Sequence, residues 1–297
     1  MINHKQILSK LSSYKNLHEL TKAIQLVAMS KLSSLKKKQL NRSLVPAYTL
    51  LKIDSKDIND EPITFIPVTT DKSCCGSINN NVIDLIKQYI KNLFNPLDVF
   101  LLGKKGLSFC NKVCPNELIY NLTEITKYNI SIITVTVILE KVYENINVKA
   151  SSYIFIYNYF KNIVTQQLAY LSLQSRENFL NNLDCNLNNF TFLNNTFKKK
   201  HRYFHEDLYN YLASIVVMKI LYENEMSEYG ARASSMRNAS KNAEELINKL
   251  QLQYNKARQA HITNELIEIL SCVNSIMTGN NLDKYSFYLQ FVHQSPC

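Results

Sequence analysis

Residues 1 to 45 contain neither glycine nor proline, and their apolar positions Ile7, Leu11, Tyr14, Leu17, Ile24, Val27 and Leu35 recur at steps near three and four or their sums. That is the spacing of one helix face. A long helix is expected, broken near Pro46, within an N-terminal segment taken as residues 1–55. From 62 onward the texture changes to short β-branched runs, "ITFIPVTT", "DVFLLG", "LIYNL" and "SSYIFIYNYF". Between the first two lies "NNNVIDLIKQYIKNLF", with Val82, Leu85, Ile86, Tyr89, Ile90 and Leu93 at helical spacing. Strand, helix, strand at this interval predicts a parallel, Rossmann-like α/β domain, placed at 62–175. "SIITVTVILEKVYENI" is β-branched early and charged late, so propensity leaves it open between strand and helix.

Residues 176–202 are polar and read as a flexible link. From 203 to 273 there is no proline and one glycine, with Leu208, Leu212, Ile215, Met218 and Tyr222 on one face, followed by Leu246, Leu250, Tyr254, Ala257, Ile262, Leu266 and Ile269. At 1.5 Å per residue this predicts a helix on the order of 100 Å long. A helix of that length needs a partner along its side, and the first helix supplies one as an antiparallel coiled coil. In "YNKARQAHITNELIEIL", the positions Tyr254, Ala257, Ile262, Leu266 and Ile269 form the stripe expected to be buried. Ala and Ser dominate "YGARASSMRNASKNAEE", which predicts close helix backbones and a slim shaft. Residues 274–297 remain as a tail of open assignment, with strand, peripheral anchor or partner contact all possible.

Composition narrows the classes. A chain of 297 residues with 46% hydrophobic content has enough apolar surface for a sizeable core. Its longest apolar run, "ISIITVTVIL", is too short to cross a bilayer. A formal charge of +10 points to an acidic partner, whether nucleic acid, an anionic membrane surface or an acidic protein. Seven cysteines without zinc-ribbon spacing suit a reduced compartment. The first twenty residues have neither a secretory core nor an Arg-rich transit pattern.

Chemistry-bearing constellations are sparse. "GKKG" at 103–106 follows a strand but lacks the P-loop spacing and its following Ser or Thr, so an ordinary strand-to-helix turn explains it. Cys110 and Cys114, like His201 and His205, are four apart; a metal would need all four to converge, and no metal or other cofactor is expected. No catalytic triad or carboxylate pair is legible. Lys36, Lys37, Lys38 and Arg42 form one basic cluster, and Lys198 to Arg202 another; neither adjoins a recognisable nucleic-acid-reading element.

Three segments resemble the gamma subunits of F-type ATP synthases: "LTKAIQLVAMSKL" at 20–32, "TTDKSCCGSINNNV" at 69–82 and "MRNASKNAEELINKLQLQYNKARQAHITNELIEILS" at 236–271. Ile24 stands where the family usually has Met, Ser73 and Cys74 where it has Gly and Leu, and Cys272 and Val273 where it has Gly and Ala. The resemblance implies a non-catalytic rotor, one copy per complex, inside a ring of three alpha and three beta subunits. Its foot would sit with epsilon- or delta-type stalk subunits on the membrane c-ring, coupling proton flow to ATP synthesis. It implies that Arg258, Gln259 and Thr263 meet the acidic catch loop of the beta subunit, with Lys22 and Ile24 facing the same loop. Cys75 matches a cysteine close to beta, and Lys31, Lys36 and Arg232 match positions along the sleeve. The C-terminal segment has a mitochondrial or alphaproteobacterial style, favouring the matrix face of the inner membrane, with the cytoplasmic face of a bacterial plasma membrane as the alternative. The rivals are a coiled-coil adapter for nucleic acid or another acidic scaffold, and an enzyme using the α/β domain.

Overall fold

The computed structural model describes residues 4–40, 63–92, 97–113, 118–125, 129–145, 152–180 and 195–292. The chain divides into two compact units, Thr21–Asn238 and the pairing of Met1–Leu20 with Ala239–Cys297.

The larger unit is built on five strands. In chain order its elements are β1 (Ile63–Pro67), α2 (Ile78–Asn92), β2 (Leu97–Leu102), α3 (Leu107–Val113), β3 (Leu118–Leu122), α4 (Ile132–Asn145), β4 (Ser152–Phe160) and β5 (Gln166–Gln174). They are flanked by α1 (His4–Leu40) and α5 (Asn195–Val292), each of which continues into the other unit. The sheet order is β3-β2-β1-β4-β5. The first four strands are parallel, as the strand–helix alternation predicts, but β5 runs antiparallel to β4. The sheet is therefore mixed. The purely parallel expectation misses β5 because "QQLAYLSLQ" contains no β-branched residue. The hairpin is made by Asn162, whose side-chain oxygen accepts from the amides of Val164 (2.9 Å) and Thr165 (2.6 Å).

Both sheet faces are covered. On one, Ile63, Phe65, Val99, Ile154 and Ile156 pack with Val82 and Ile86 of α2. On the other, Ile66, Phe100, Leu102 and Phe155 join Val135 and Leu139 of α4, Leu32 and Leu35 of α1 and Tyr209, Val217 and Ile220 of α5. The ambiguous "SIITVTVILEKVYENI" is helical because its ends and face agree. Ser131 and Thr134 exchange side-chain-to-amide bonds of 2.9 and 3.3 Å at its start, and Val135, Ile138, Leu139 and Val142 are buried together.

The helices differ from expectation in extent and phase. Described helix in the 1–55 segment ends at Leu40, and residues 41–62 lie outside the described residues. Within the expected link 176–202, residues 176–180 are helical with Phe179 buried, α5 begins at Asn195, and 181–194 lie outside the described residues. α5 then runs unbroken through the expected tail to Val292, consistent with the lack of proline until 296. Along α1 the buried or half-buried positions are 7, 11, 14, 18, 21, 25, 28, 32 and 35, an alternation of four and three, with Ile24 half-buried beside position 25. Leu17 and Val27, expected on this face, are 46% and 62% exposed. His18 and Ala28 take their places, and hydropathy alone passes over both.

In the smaller unit, residues 4–20 of α1 pack with the stretch of α5 around Ser240 and Ala243. His18 Nδ1 lies 3.1 Å from the carbonyl of Ser240, and Ala243 is fully buried. The stripe expected to be buried continues only to Tyr254 and Ala257, both half-buried. Ile262, Leu266 and Ile269 are 47%, 55% and 59% exposed. The reason is reach. At about 1.5 Å per residue, α1 extends about 21 Å from His18 to its first described residue, whereas Ile269 lies about 44 Å beyond Ser240.

Candidate functional site

The loop after β1, "VTTDKSCCGS" at 68–77, is held from several sides within the larger unit. Thr69 donates through both its amide (2.7 Å) and its hydroxyl (3.0 Å) to the carbonyl of Leu102. Asp71 Oδ1 accepts from the amides of Lys104 and Glu124, each at 3.1 Å, so one carboxylate ties together the loops that follow β1, β2 and β3. The "GKKG" segment is a strand-to-helix turn pressed against this loop. Gly103 has φ +104°, and a Cβ there would lie 2.2 Å from the Thr69 carbonyl oxygen.

The loop also meets α5. Cys74 and Gly76 both have positive φ, which brings Cys75 inward and Gly76 against Ser235. The Cys75 thiol is buried and accepts from Arg232 Nη2 at 2.9 Å. Arg232 is in turn ion-paired with Glu228 one helical turn away, and both are buried. Burial pushes the Cys75 thiol up to about 11, against the lowering influence of Arg232. Burial likewise raises the Glu228 carboxyl, with Arg232 opposing. The accessible thiol of the loop is its neighbour Cys74.

Sheet topology places a crevice at the carboxyl ends of β1 and β4, where connections depart in opposite directions and α/β proteins bind ligands. In this chain α5 fills it. Asn158 of β4 donates to Asn224 Oδ1 at 3.2 Å and accepts from Ser227 Oγ at 2.7 Å, both on α5. Gly230 permits this approach, because a Cβ there would stand 2.9 Å from the Phe160 ring. The space left among Val68, Thr69, Asp71, Leu221, Glu225 and Glu228 is about 20 Å³, the scale of one water.

The expected contact residues fall in both units. In the larger one, Lys22, Lys31 and Lys36 are exposed on α1 and Ile24 is half-buried, while Cys75 and Arg232 are buried and bonded to each other. In the smaller one, Arg258, Gln259 and Thr263 are exposed on α5, with the Thr263 hydroxyl donating to the Gln259 carbonyl at 2.9 Å. Around these three lie exposed Ile262, Leu266, Ile269, Val273 and Ile276, spaced four, three, four and three. Of these, periodicity places Ile262, Leu266 and Ile269 in the interior, because it cannot tell which helix supplies the partner.

Comparison with known proteins agrees with this construction. The ATP synthase family pattern matches residues 3–276. The mitochondrial ATP synthase F(1) complex subunit gamma of Dictyostelium discoideum is 31% identical over 295 residues, covering 94% of each chain. The ATP synthase gamma chain of Rickettsia canadensis is 30% identical over 298 residues, covering 91% of this chain and 98% of its own length. In fold, the chain resembles one in the OSCP/F1/c-ring assembly of Euglena gracilis mitochondrial ATP synthase, with a TM-score of 0.78 at 24% identity over 93% of this chain and 95% of that one. A chain from the central stalk and c-ring of the Tetrahymena thermophila mitochondrial enzyme gives a TM-score of 0.59 at 25% identity, covering 74% of this chain and 99% of that one. The chain therefore belongs to the ATP synthase family, as one of its gamma subunits.

Proposed function

We propose that this chain is the central shaft of an F-type ATP synthase, turned by a membrane c-ring and driving the catalytic beta subunits through their conformational cycle. The observation that carries this reading is the distal part of α5. Five apolar residues at heptad spacing, Ile262, Leu266, Ile269, Val273 and Ile276, are exposed beside Arg258, Gln259 and Thr263. An apolar stripe of this length marks an interaction surface. A ring of alpha and beta subunits around the helix supplies the cover, and its acidic catch loop supplies partners for the polar face.

The two long helices act as an antiparallel coiled coil. The alternation of four and three along α1 supports this, since a 3.5-residue repeat keeps one seam facing its partner. Neighbour pairs support the direction, with His18 beside Ser240 and Lys31 and Lys38 near enough to act on Glu225. In that reading the α/β domain is the foot, which meets the small stalk subunits and the c-ring. Its bonds to α5 through Asn158, Ser227 and Glu223 provide a stiff path for torque.

The chain carries no active site of its own in this account. The crevice in which an α/β domain would bind a nucleotide is occupied by α5, which argues against the enzyme reading. The adapter reading finds no support among the relatives. Lys22, Ile24 and Lys31 face the ring from α1, and the exposed Arg258 fork suits a carboxylate. Exposed pairs of this kind are worth roughly 0 to 1 kcal/mol each, weak enough to be released at every step. Mitochondrial and rickettsial relatives support the reading that the shaft works at a mitochondrial inner membrane, on its matrix side, or at the cytoplasmic side of a bacterial plasma membrane. Purification of the native chain tests the reading: three alpha and three beta subunits are expected with one copy of it, and a chain isolated without them would contradict it.

A further inference from the structure

The hairpin between β4 and β5 closes at the pair Phe160 and Gln166, and Phe160 meets both long helices. Its amide donates to Glu223 Oε2 of α5 at 3.4 Å. Its ring lies against Gly230 of the same helix, where a Cβ would stand 2.9 Å from the ring edge. Lys36 of α1 approaches that ring too, with Nζ 4.9 Å from the centroid, a cation–π distance. Gln166 braces the turn, donating through its side-chain amide to the carbonyls of Asn162 (3.3 Å) and Ile163 (3.0 Å). Gly230 is buried inside a helix, where glycine is the poorest residue after proline, so its presence calls for a reason. The ring of Phe160 supplies one.

We propose that Phe160 is a positioning residue for torque transfer: its ring, seated in the Gly230 notch of α5 and facing Lys36 of α1, fixes both shaft helices to the α/β domain. This rests on the rotor reading. The bonds of Asn158 to Asn224 and Ser227 hold α5 alone. Leu32 and Leu35 hold α1 by apolar packing, which is non-directional and resists separation more than sliding. A ring that touches both helices is a stop. Sliding or turning α5 would bring a neighbour's side chain against the ring in place of the bare Cα of Gly230, and moving α1 would take Lys36 off the ring face. The same contact gives Lys36, which resemblance places against the sleeve, an internal partner.

Membrane vesicles bearing the assembled enzyme test it through the ratio of protons pumped to ATP hydrolysed, which a mere loss of assembled enzyme leaves unchanged. The attraction given up in Phe160→Leu is worth a factor of roughly 2 to 5, and the ratio should fall by about as much, while Phe160→Tyr keeps it. Lys36→Met should lower the ratio by itself but add nothing to Phe160→Leu, since both act through one contact. An unchanged ratio in Phe160→Leu, or a Lys36→Met effect that persists in full beside it, overturns the proposal. Should Phe160→Leu not assemble, Gly230→Ala decides, because it favours the helix and displaces only the ring: a lowered ratio supports the joint, and an unchanged one overturns it. A wild-type enzyme that hydrolyses ATP without pumping would instead remove the rotor reading, and this proposal with it.

Discussion

Cys75 and Arg232 stand 157 positions apart and meet at 2.9 Å, a contact that no local pattern in the chain announces. Resemblance assigns both to partner contact, yet burial gives them an internal role, joining the loop after β1 to α5. Their chemistry yields two expectations. With its thiol pushed up to about 11, Cys75 stays protonated and inert at pH 8, whereas exposed Cys74 is open to reagent. Iodoacetamide followed by peptide mass spectrometry should label Cys74 well ahead of Cys75; preferential labelling of Cys75 would contradict its burial. Arg232→Ala leaves a buried Glu228 without its cation, and breaking such a pair costs roughly 3 to 5 kcal/mol. Urea unfolding should show that loss, with Arg232→Ala and Glu228→Leu combined losing less than Arg232→Ala alone. Gly103→Ala belongs to the same scale. Its Cβ would collide with the Thr69 carbonyl in a left-handed backbone, for a loss of about 2 to 4 kcal/mol in the same assay.

At the scale of elements, legibility follows how local the determining physics is. The strands β1, β2 and β4 are readable because their runs are mostly apolar or β-branched and mostly buried, and the half-buried β3 because it is short and apolar apart from Asn121. β5 is not, since its leucines, glutamines and alanine become a strand only through pairing with β4 and the Asn162 turn. On α1 the helix is legible but its phase is not. His18, Thr21 and Ala28 lie on the inner face because small or bondable side chains suit a close seam, while Leu17 and Val27 turn outward. On α5 the stripe is legible and its owner is not, because Ile262, Leu266 and Ile269 are exposed on this chain and, in the proposed reading, are covered by the catalytic ring. Replacing Ile262, Leu266 and Ile269 together by Ser should therefore change the unfolding free energy of the chain alone by less than about 0.5 kcal/mol. The same variant should assemble poorly with the catalytic ring, as read by co-purification. A large loss in the isolated chain would show that these residues are internal after all.

For the whole molecule, α5 is bonded to the α/β domain through Asn224 and Ser227 in the larger unit and carries exposed Arg258, Gln259 and Thr263 in the smaller one. Only resemblance points to Arg258, Gln259 and Thr263 as contacts, since nothing in composition or spacing marks an exposed polar residue as a moving contact. Arg258→Ala with Gln259→Ala should leave the chain folded and lower proton-coupled ATP synthesis in the assembled enzyme; unchanged synthesis would remove these residues from the coupling path. The most direct test of the central claim is single-molecule rotation. With the catalytic head fixed to a surface and a probe attached through Tyr211→Cys, an exposed position on α5, ATP should drive unidirectional turning of the probe in three major steps per revolution. ATP hydrolysis with the probe stationary would contradict the rotor account.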